Sequence, residues 1–339
     1  MKYFTLALYV CLCQADVVAT RKIPVEAQRL SGEPLVEYLR KNQDLFEVNP
    51  DPTPDFELKI MDKKFATKNI NYIVKDDNDT GEDIPEEYDP RTIWTNCTSL
   101  FTIRDQANCG SCWAISTAAA ISDRICIATK AEKQVNISAT DIIACCSYCG
   151  AGCQGGWVLD AWRFFVDDGI VSGGNYNNKE GCRPYPYHPC GHHGNETYYG
   201  KCNGTAPNPQ CRKTCIAGVR KQYRVDKRYG KTAYKVPPSV KAIQREVLRH
   251  GPVVVAFQVY EDFGHYKSGI YKHTAGRVRG SHAVKLIGWG KENGTDYWII
   301  ANSWHNDWGE QGFFRIVRGI NECGIEEAGT AGLVDVDTL

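Results

Sequence analysis

Sixteen cysteines in 339 residues constrain this chain more than any other feature. At that density they form either a disulfide framework in an oxidising compartment or a set of metal sites in a reducing one. The N-terminus separates the two. Lys2 supplies a short positive region, Tyr3 to Cys13 an apolar run of 11 residues, and Cys13-Gln14-Ala15 a small-residue cleavage site. That is the pattern of a secretory signal over residues 1–15. The run reaches about half of the roughly 20 residues a bilayer helix needs, so no membrane span is expected. Removing Cys11 and Cys13 with the signal leaves 16 − 2 = 14 cysteines for the secretory chain. Six Asn-x-Ser/Thr acceptors, at Asn78, Asn96, Asn136, Asn195, Asn203 and Asn293, point the same way.

Charge narrows the partners. Lys plus Arg equals Asp plus Glu, 40 against 40, so no net field draws the chain to nucleic acid or an anionic membrane. Residues 16–83 carry no cysteine and contain a Pro-dotted stretch, Asn49 to Pro54, and a polar run, Lys75 to Asp83. Within them Leu35, Leu39 and Phe46 suit one amphipathic helix. A cysteine-free arm ahead of a cysteine-dense body reads as a removable pro-segment. From 97 to 215 come all but one of the 14 cysteines, interleaved with helical signals. Ser111 is placed to cap a helix through Ala114, Ala118, Ile121 and Ile125, and Val158, Trp162 and Phe165 mark another that stops at Gly169. From 253 onward β-branched and aromatic runs take over: Val253–Val259, His282–Ile287, Tyr297–Ala301 and Phe313–Val317. A helical half followed by a β half predicts an α+β protein with a cleft between two lobes.

The most specific segment is Asp105-Gln-Ala-Asn-Cys-Gly-Ser-Cys-Trp113, which contains C-G-[SA]-C-[WY], a known local signature of papain and cathepsin nucleophiles. Gly280-Ser-His-Ala-Val284 and Ala301-Asn-Ser-Trp304 follow in the order Cys, His, Asn. The chain resembles papain-family cysteine proteases. The resemblance implies a papain-like fold with a helical left lobe, a β-barrel-like right lobe and the active-site cleft between them. It assigns Cys112 as nucleophile, His282 as its proton partner, Asn302 as the residue orienting that imidazole and Gln106 as an oxyanion donor. Trp304 is expected to cover the His282 to Asn302 bond, and Gly155 and Gly156 to contact substrate. These residue types suit the chemistry. A thiol attacks only as thiolate, so Cys112 is expected well below its free pKa of about 8.5, through a helix N-terminus and an adjacent imidazolium. Taken singly, a cysteine here reads as half a disulfide and a strand histidine as a packed residue; three motifs in order outweigh that. The rival from another class is a catalytically silent, disulfide-rich binding protein on the same fold.

Cys182-Arg-Pro-Tyr185, Cys190-Gly-His-His193 with Cys202, Cys145-Cys146 and Asp226-Lys-Arg-Tyr-Gly230 are similar to cathepsin B from about residue 84 to the end. The mature domain is therefore expected over 84–339. Cys112 and His282 lie 282 − 112 = 170 positions apart, beyond the roughly 130 to 150 of papain-like enzymes, which implies an insertion of about 20 residues. Cys190 to Cys202, within a region of about 182–215, resembles the occluding loop that closes the primed side of the cleft. Its histidines, His192 and His193, are implied to hold a substrate's C-terminal carboxylate, giving peptidyl-dipeptidase beside endopeptidase activity. As a metal pair they have too few co-placed ligands, and no metal or cofactor is expected. In the family this loop is tethered to aspartates matching Asp105 and Asp307. Residues 194–201 contain no Arg, only Lys201, so a looser loop is expected here.

Where cathepsin B closes its specificity pocket with an acidic side chain, this chain has Ala328. Bulky apolar residues are expected there and Arg-Arg substrates disfavoured. The resemblance also implies the pairs Cys97–Cys126, Cys109–Cys153, Cys145–Cys211, Cys146–Cys149, Cys182–Cys215 and Cys190–Cys202, leaving Cys112 and Cys323 free. Tyr297 to Glu310 resembles a segment of cathepsin B-like enzymes from blood-feeding worms, which makes haemoglobin a possible food protein. The expected partners are protein and peptide substrates and the chain's own pro-segment, for a monomer in a lysosome, extracellular space or gut lumen.

Overall fold

The computed structural model describes residues 22–65, 81, 83–327 and 329–339. The expected signal, the acceptor Asn78 and the pocket residue Ala328 lie outside them. The N-terminal arm forms α1 (Gly32–Asn42), β1 (Phe46–Val48) and the single turn α2 (Phe56–Lys59). The helical half follows with α3 (Pro90–Ile93), α4 (Cys112–Ala128), α5 (Ala139–Cys145) and α6 (Val158–Asp167). The β half holds β2 (Gly230–Lys235), α7 (Val240–His250), β3 (Val253–Tyr260), β4 (Tyr266–Tyr271), β5 (Val278–Glu292), β6 (Thr295–Ala301), β7 (Phe313–Val317) and β8 (Thr330–Val334).

The strand order is β1-β4-β7-β6-β5-β3-β8-β2, antiparallel throughout except for β4 beside β7. β1 and β2 occupy opposite edges. The β-barrel-like lobe expected from the sequence is thus an open sheet among the described residues, with its β4 edge covered by a strand from the arm. Phe46 differs too. The helix it was assigned to stops at Gln43, whose side-chain oxygen accepts from the Leu45 and Phe46 amides at 3.0 Å each and turns the chain into β1.

Two cores meet along β5. Val284 and Leu286 face the aromatic interior of the β half with Trp298 and Phe314. Ala283 faces the helical core with Cys112, Ala114 and Trp162, as strand alternation requires. α4 is buried from Cys112 to Ile127, so its polar side chains need internal partners. Arg124 donates to the carbonyls of Gly251, Pro252 and Gly332 and pairs with Glu246 at 3.0 Å. Asp123 pairs with Lys285 of β5, with both side chains removed from water. The α6 helix ends where expected, at Gly169 with φ +69°. All six implied disulfides are formed, and Cys112 and Cys323 are free.

Breaking a buried ion pair from one side strands a charge. Asp123→Ala should destabilise the protein by about 3–5 kcal/mol, and Asp123→Leu with Lys285→Met should recover most of that loss. Urea denaturation with the disulfides intact measures both; an Asp123→Ala variant as stable as the parent would contradict the assignment.

Candidate active site

Cys112 is the first residue of α4, and the chain before it is fixed by the Cys109–Cys153 disulfide and by the Gly110 amide donating to the Cys153 carbonyl at 2.8 Å. Ser111 occupies the N-cap position without capping through its side chain. Its hydroxyl instead shares a 2.8 Å hydrogen bond with the Tyr185 phenol, which also reaches the Gln106 carbonyl at 2.8 Å. The capping expectation fails because the Ser111 hydroxyl is turned toward the buried phenol, to which it donates while the phenol's own proton goes to the Gln106 carbonyl. His282 lies within β5, its Nε2 donating to Asn302 Oδ1 at 2.7 Å, with the Trp304 ring 4.9 Å from the imidazole. The Ala283 amide, next in the strand, donates to Cys112 Sγ at 3.5 Å. The structure therefore brings Cys112, His282, Asn302 and Trp304 to one place. Gln106 joins them through Ser303, whose hydroxyl donates to Gln106 Oε1 at 2.7 Å.

The arm crosses this site. Gln106 Nε2 donates to the Lys59 carbonyl at 2.7 Å, so a backbone carbonyl of the arm occupies the side-chain donor assigned to the oxyanion. Met61 exchanges two hydrogen bonds with Ser281, at 2.8 and 3.0 Å, beside His282. Phe65 packs edge-on against Trp157 with centroids 4.9 Å apart. Gly155 faces this ring at φ +127°, where an added Cβ would sit 2.4 Å from a Phe65 carbon. Gly155 thus touches the arm directly, whereas Gly156 abuts the Trp113 indole from within. No local signal marks Lys59 or Met61, whose roles arise only when the arm lies across the cleft; Ser303 stood inside the Ala301 to Trp304 motif, but its bond to Gln106, 197 positions away, did not show in the spacing.

Burial under the arm changes the electrostatics expected from the sequence. Cys112 and His282 are wholly buried. Burial pushes the thiol up to about 12, against which the Ala283 amide works only partly. Burial likewise lowers the imidazole to about 4 despite its bond to Asn302, with the Lys59 charge adding to the effect. The expected depression of the thiol is therefore reversed while the arm is in place: both groups rest neutral.

The occluding-loop segment stands over the other end of the cleft. His192 is exposed and stacks on Tyr198 with centroids 4.1 Å apart. His193 reaches both implied aspartates, Asp307 at 3.0 Å and Asp105 at 3.9 Å. Glu196 meets His305 at 3.3 Å, and Asn108 donates to the Gly204 carbonyl at 2.7 Å. The arginine is absent as expected from the sequence, and Glu196 with His305 supplies a further contact between the loop and the body. Between loop and arm lies a cavity of about 1100 Å³ lined by His192, His193, Lys59, Trp304 and Trp308. Near the specificity pocket, Glu326 is buried on Trp298 and the Gly319 and Asn321 amides, and Glu327 accepts from Asn321 at 2.6 Å. Of the described acceptors, Asn96, Asn195, Asn203 and Asn293 are exposed, whereas Asn136 is half-buried and donates to Glu180.

A two-lobed fold with a cysteine, histidine and asparagine on a helix, strand and loop that meet at one cleft defines a cysteine protease. Residues 84–333 match the papain family of cysteine proteases, and the chain belongs to that family. Over its full length it is 67% identical to a cathepsin B-like cysteine proteinase 2 of Haemonchus contortus, covering 100% of both chains. It is 43% identical to a gut-specific cysteine proteinase of Caenorhabditis elegans, over 99% of this chain and 100% of that one. The procathepsin B S9 structure from Trypanosoma congolense superposes with a TM-score of 0.75 at 32% identity, over 91% of this chain and 99% of the other. The protein is a cathepsin B-like cysteine proteinase, and its solved neighbours include procathepsins, which carry a pro-segment.

A thiol held near 12 is about 10⁻⁵ thiolate at neutral pH. Alkylation of Cys112 in the zymogen should therefore be slow and rise about tenfold per pH unit up to pH 10, whereas the matured enzyme should react rapidly and almost independently of pH between 5 and 9. Iodoacetamide labelling followed by mass spectrometry measures this; equal rates in the two forms would contradict it.

Proposed function

We propose that this zymogen enters the secretory pathway through residues 1–15, is held inactive by residues 16–83, and is released as an enzyme of residues 84–339. The observation that carries the proposal is the Lys59 carbonyl on the Gln106 amide beside Cys112, a pose that mimics a peptide carbonyl at the reacting position. Once the arm leaves, water and the α4 N-terminus favour charge separation, and the proton moves from Cys112 to His282. The thiolate attacks the scissile carbonyl carbon, and Gln106 with the Cys112 backbone amide receives the oxyanion. His282 then protonates the leaving amine as the C–N bond breaks. Water, deprotonated by the same imidazole, hydrolyses the thioester and restores the thiol. Asn302 keeps the ring in register, and Trp304 shields that bond.

The enzyme acts as an endopeptidase and as a peptidyl-dipeptidase, with His192 and His193 taking a substrate's terminal carboxylate in the cavity beneath the loop. Ala328 makes the specificity pocket apolar. Glu326 and Glu327 support this reading, since each is committed to other donors. A digestive role in a lysosome or gut lumen, with proteins such as haemoglobin as food, rests on the segment from Tyr297 to Glu310 and on the gut-specific relative. The silent binding-protein alternative has no observation in its favour.

Matched blocked peptides with Phe, Val or Arg two residues before the cleaved bond test the proposal in acid-matured enzyme. Phe or Val should be preferred to Arg by on the order of a few kcal/mol in kcat/KM, and Cys112→Ala should abolish turnover. Arg preference would sink the pocket assignment while sparing the protease. A parallel assay with free-carboxylate peptides should lose dipeptide release in His192→Ala by about tenfold or more relative to internal cleavage; an unchanged ratio would remove the dipeptidase role.

A further inference from the structure

The loop from Cys190 to Cys202 is closed at its base by its disulfide and by the Gly191 amide donating to the Gly200 carbonyl at 2.9 Å. At its tip the Glu196 amide donates to the His193 carbonyl at 2.9 Å. Between those ties His192 stands on one limb and Tyr198 on the other. Their rings stack with centroids 4.1 Å apart and planes 6° from parallel. Tyr199 turns elsewhere, edge-on to Tyr176 at 5.4 Å and over His188 at 5.6 Å, and fastens the return limb to the body. With Tyr199 held there, Tyr198 is left on the side of the cavity, which both it and His192 line. The two histidines of the loop are placed differently. His193 has both ring nitrogens in use, Nδ1 on Asp307 at 3.0 Å and Nε2 on the Cys190 carbonyl at 3.1 Å. Among the described residues neither nitrogen of His192 has a hydrogen-bond partner, and the ring is held by its face alone. A face-stacked imidazole keeps its edge, and so both of its nitrogens, open to a ligand.

We propose that Tyr198 is a positioning residue for substrate: by stacking on His192 it holds that imidazole at the cavity with its nitrogens free to receive the C-terminal carboxylate of a peptide. This rests on the reading of the loop as a carboxylate-binding element, and it makes His192 the first of the pair to meet the substrate. The physical reason is preorganisation. An exposed imidazole without packing samples several rotamers, and fixing one on binding costs affinity. The phenol face fixes that ring beforehand, through contacts that lie wholly within the loop and so do not depend on the arm. A charge-assisted bond to a carboxylate is directional, so a wandering ring forfeits much of it. The terminal carboxylate keeps its charge throughout peptide-bond cleavage. Its binding is therefore equal in ground and transition states, and weakening it raises KM rather than lowers kcat.

For the test, each variant is made as the full zymogen, matured in acid and matched by active-site titration. Two peptides of one sequence, ending in a free carboxylate or in an amide, are compared for cleavage of the bond two residues from that end. Tyr198→Ala and Tyr198→Leu should each raise KM for the free carboxylate relative to the amide by about 3–10-fold with kcat little changed, whereas Tyr198→Phe, which keeps the ring, should stay within about twofold of the parent. In a His192→Ala background, Tyr198→Ala should add no further loss, because the two residues act through one contact. Equal KM shifts for the two peptides, a Leu variant as effective as Phe, or a full additional loss in the His192→Ala background would overturn the proposal and leave the carboxylate reading standing. A His192→Ala enzyme that handles the free-carboxylate peptide as the parent does would overturn that reading and the proposal with it.

Discussion

The ion pair between Asp123 and Lys285 joins the helix that begins with the nucleophile to the strand that carries the base. Eleven residues, close to three helical turns, separate Cys112 from Asp123, which returns the two to one face of α4. On β5, Ala283 and Lys285 share the face turned toward that helix. The pair is therefore a pin set behind the point where the Ala283 amide meets Cys112 Sγ. Two buried charges are weak as a source of net stability against apolar substitutes of the same shape. Their value lies in register, because any slide of helix against strand would strand both charges, and the reacting groups sit on the same two elements.

The arm exploits that rigidity. It adds β1 to the β4 edge, lays Phe56 near Trp304, and threads Lys59 and Met61 between Gln106 and Ser281. The Lys59 contact uses the Gln106 amide that is assigned to the substrate's oxyanion. The electrostatic effect matters as much as the steric one. Excluding water removes the solvation that a thiolate and an imidazolium require, so the pair collapses to its neutral form. On the proposed reading, inhibition by the arm would be a change in the ionisation of the nucleophile as well as a blocked entrance.

Much of this was legible in the sequence, for specific reasons. Cys112, His282 and Asn302 each sit in a short motif, and the family resemblance carried all six disulfides. Other features needed three dimensions. Helix α7 was not anticipated although Ser239 caps it, accepting from the Ala242 amide at 3.1 Å, and Ile243 and Val247 bury its inner face. The Ser111 cap failed because Tyr185, 74 positions away, takes its hydroxyl. The thiol shift came out with the opposite sign because it depends on which segment covers the helix N-terminus. The contact of Glu196 with His305, 109 positions away, escaped for a similar reason, since no spacing rule connects them.

The central claim is that the arm occupies the place of substrate and neutralises the pair beneath it. Inhibition of the matured enzyme by a synthetic peptide of residues 22–65 tests this most directly. The account predicts competitive inhibition against a peptide substrate, with the same peptide protecting Cys112 from alkylation at matching concentrations. Noncompetitive inhibition, or inhibition that leaves the alkylation rate unchanged, would contradict it.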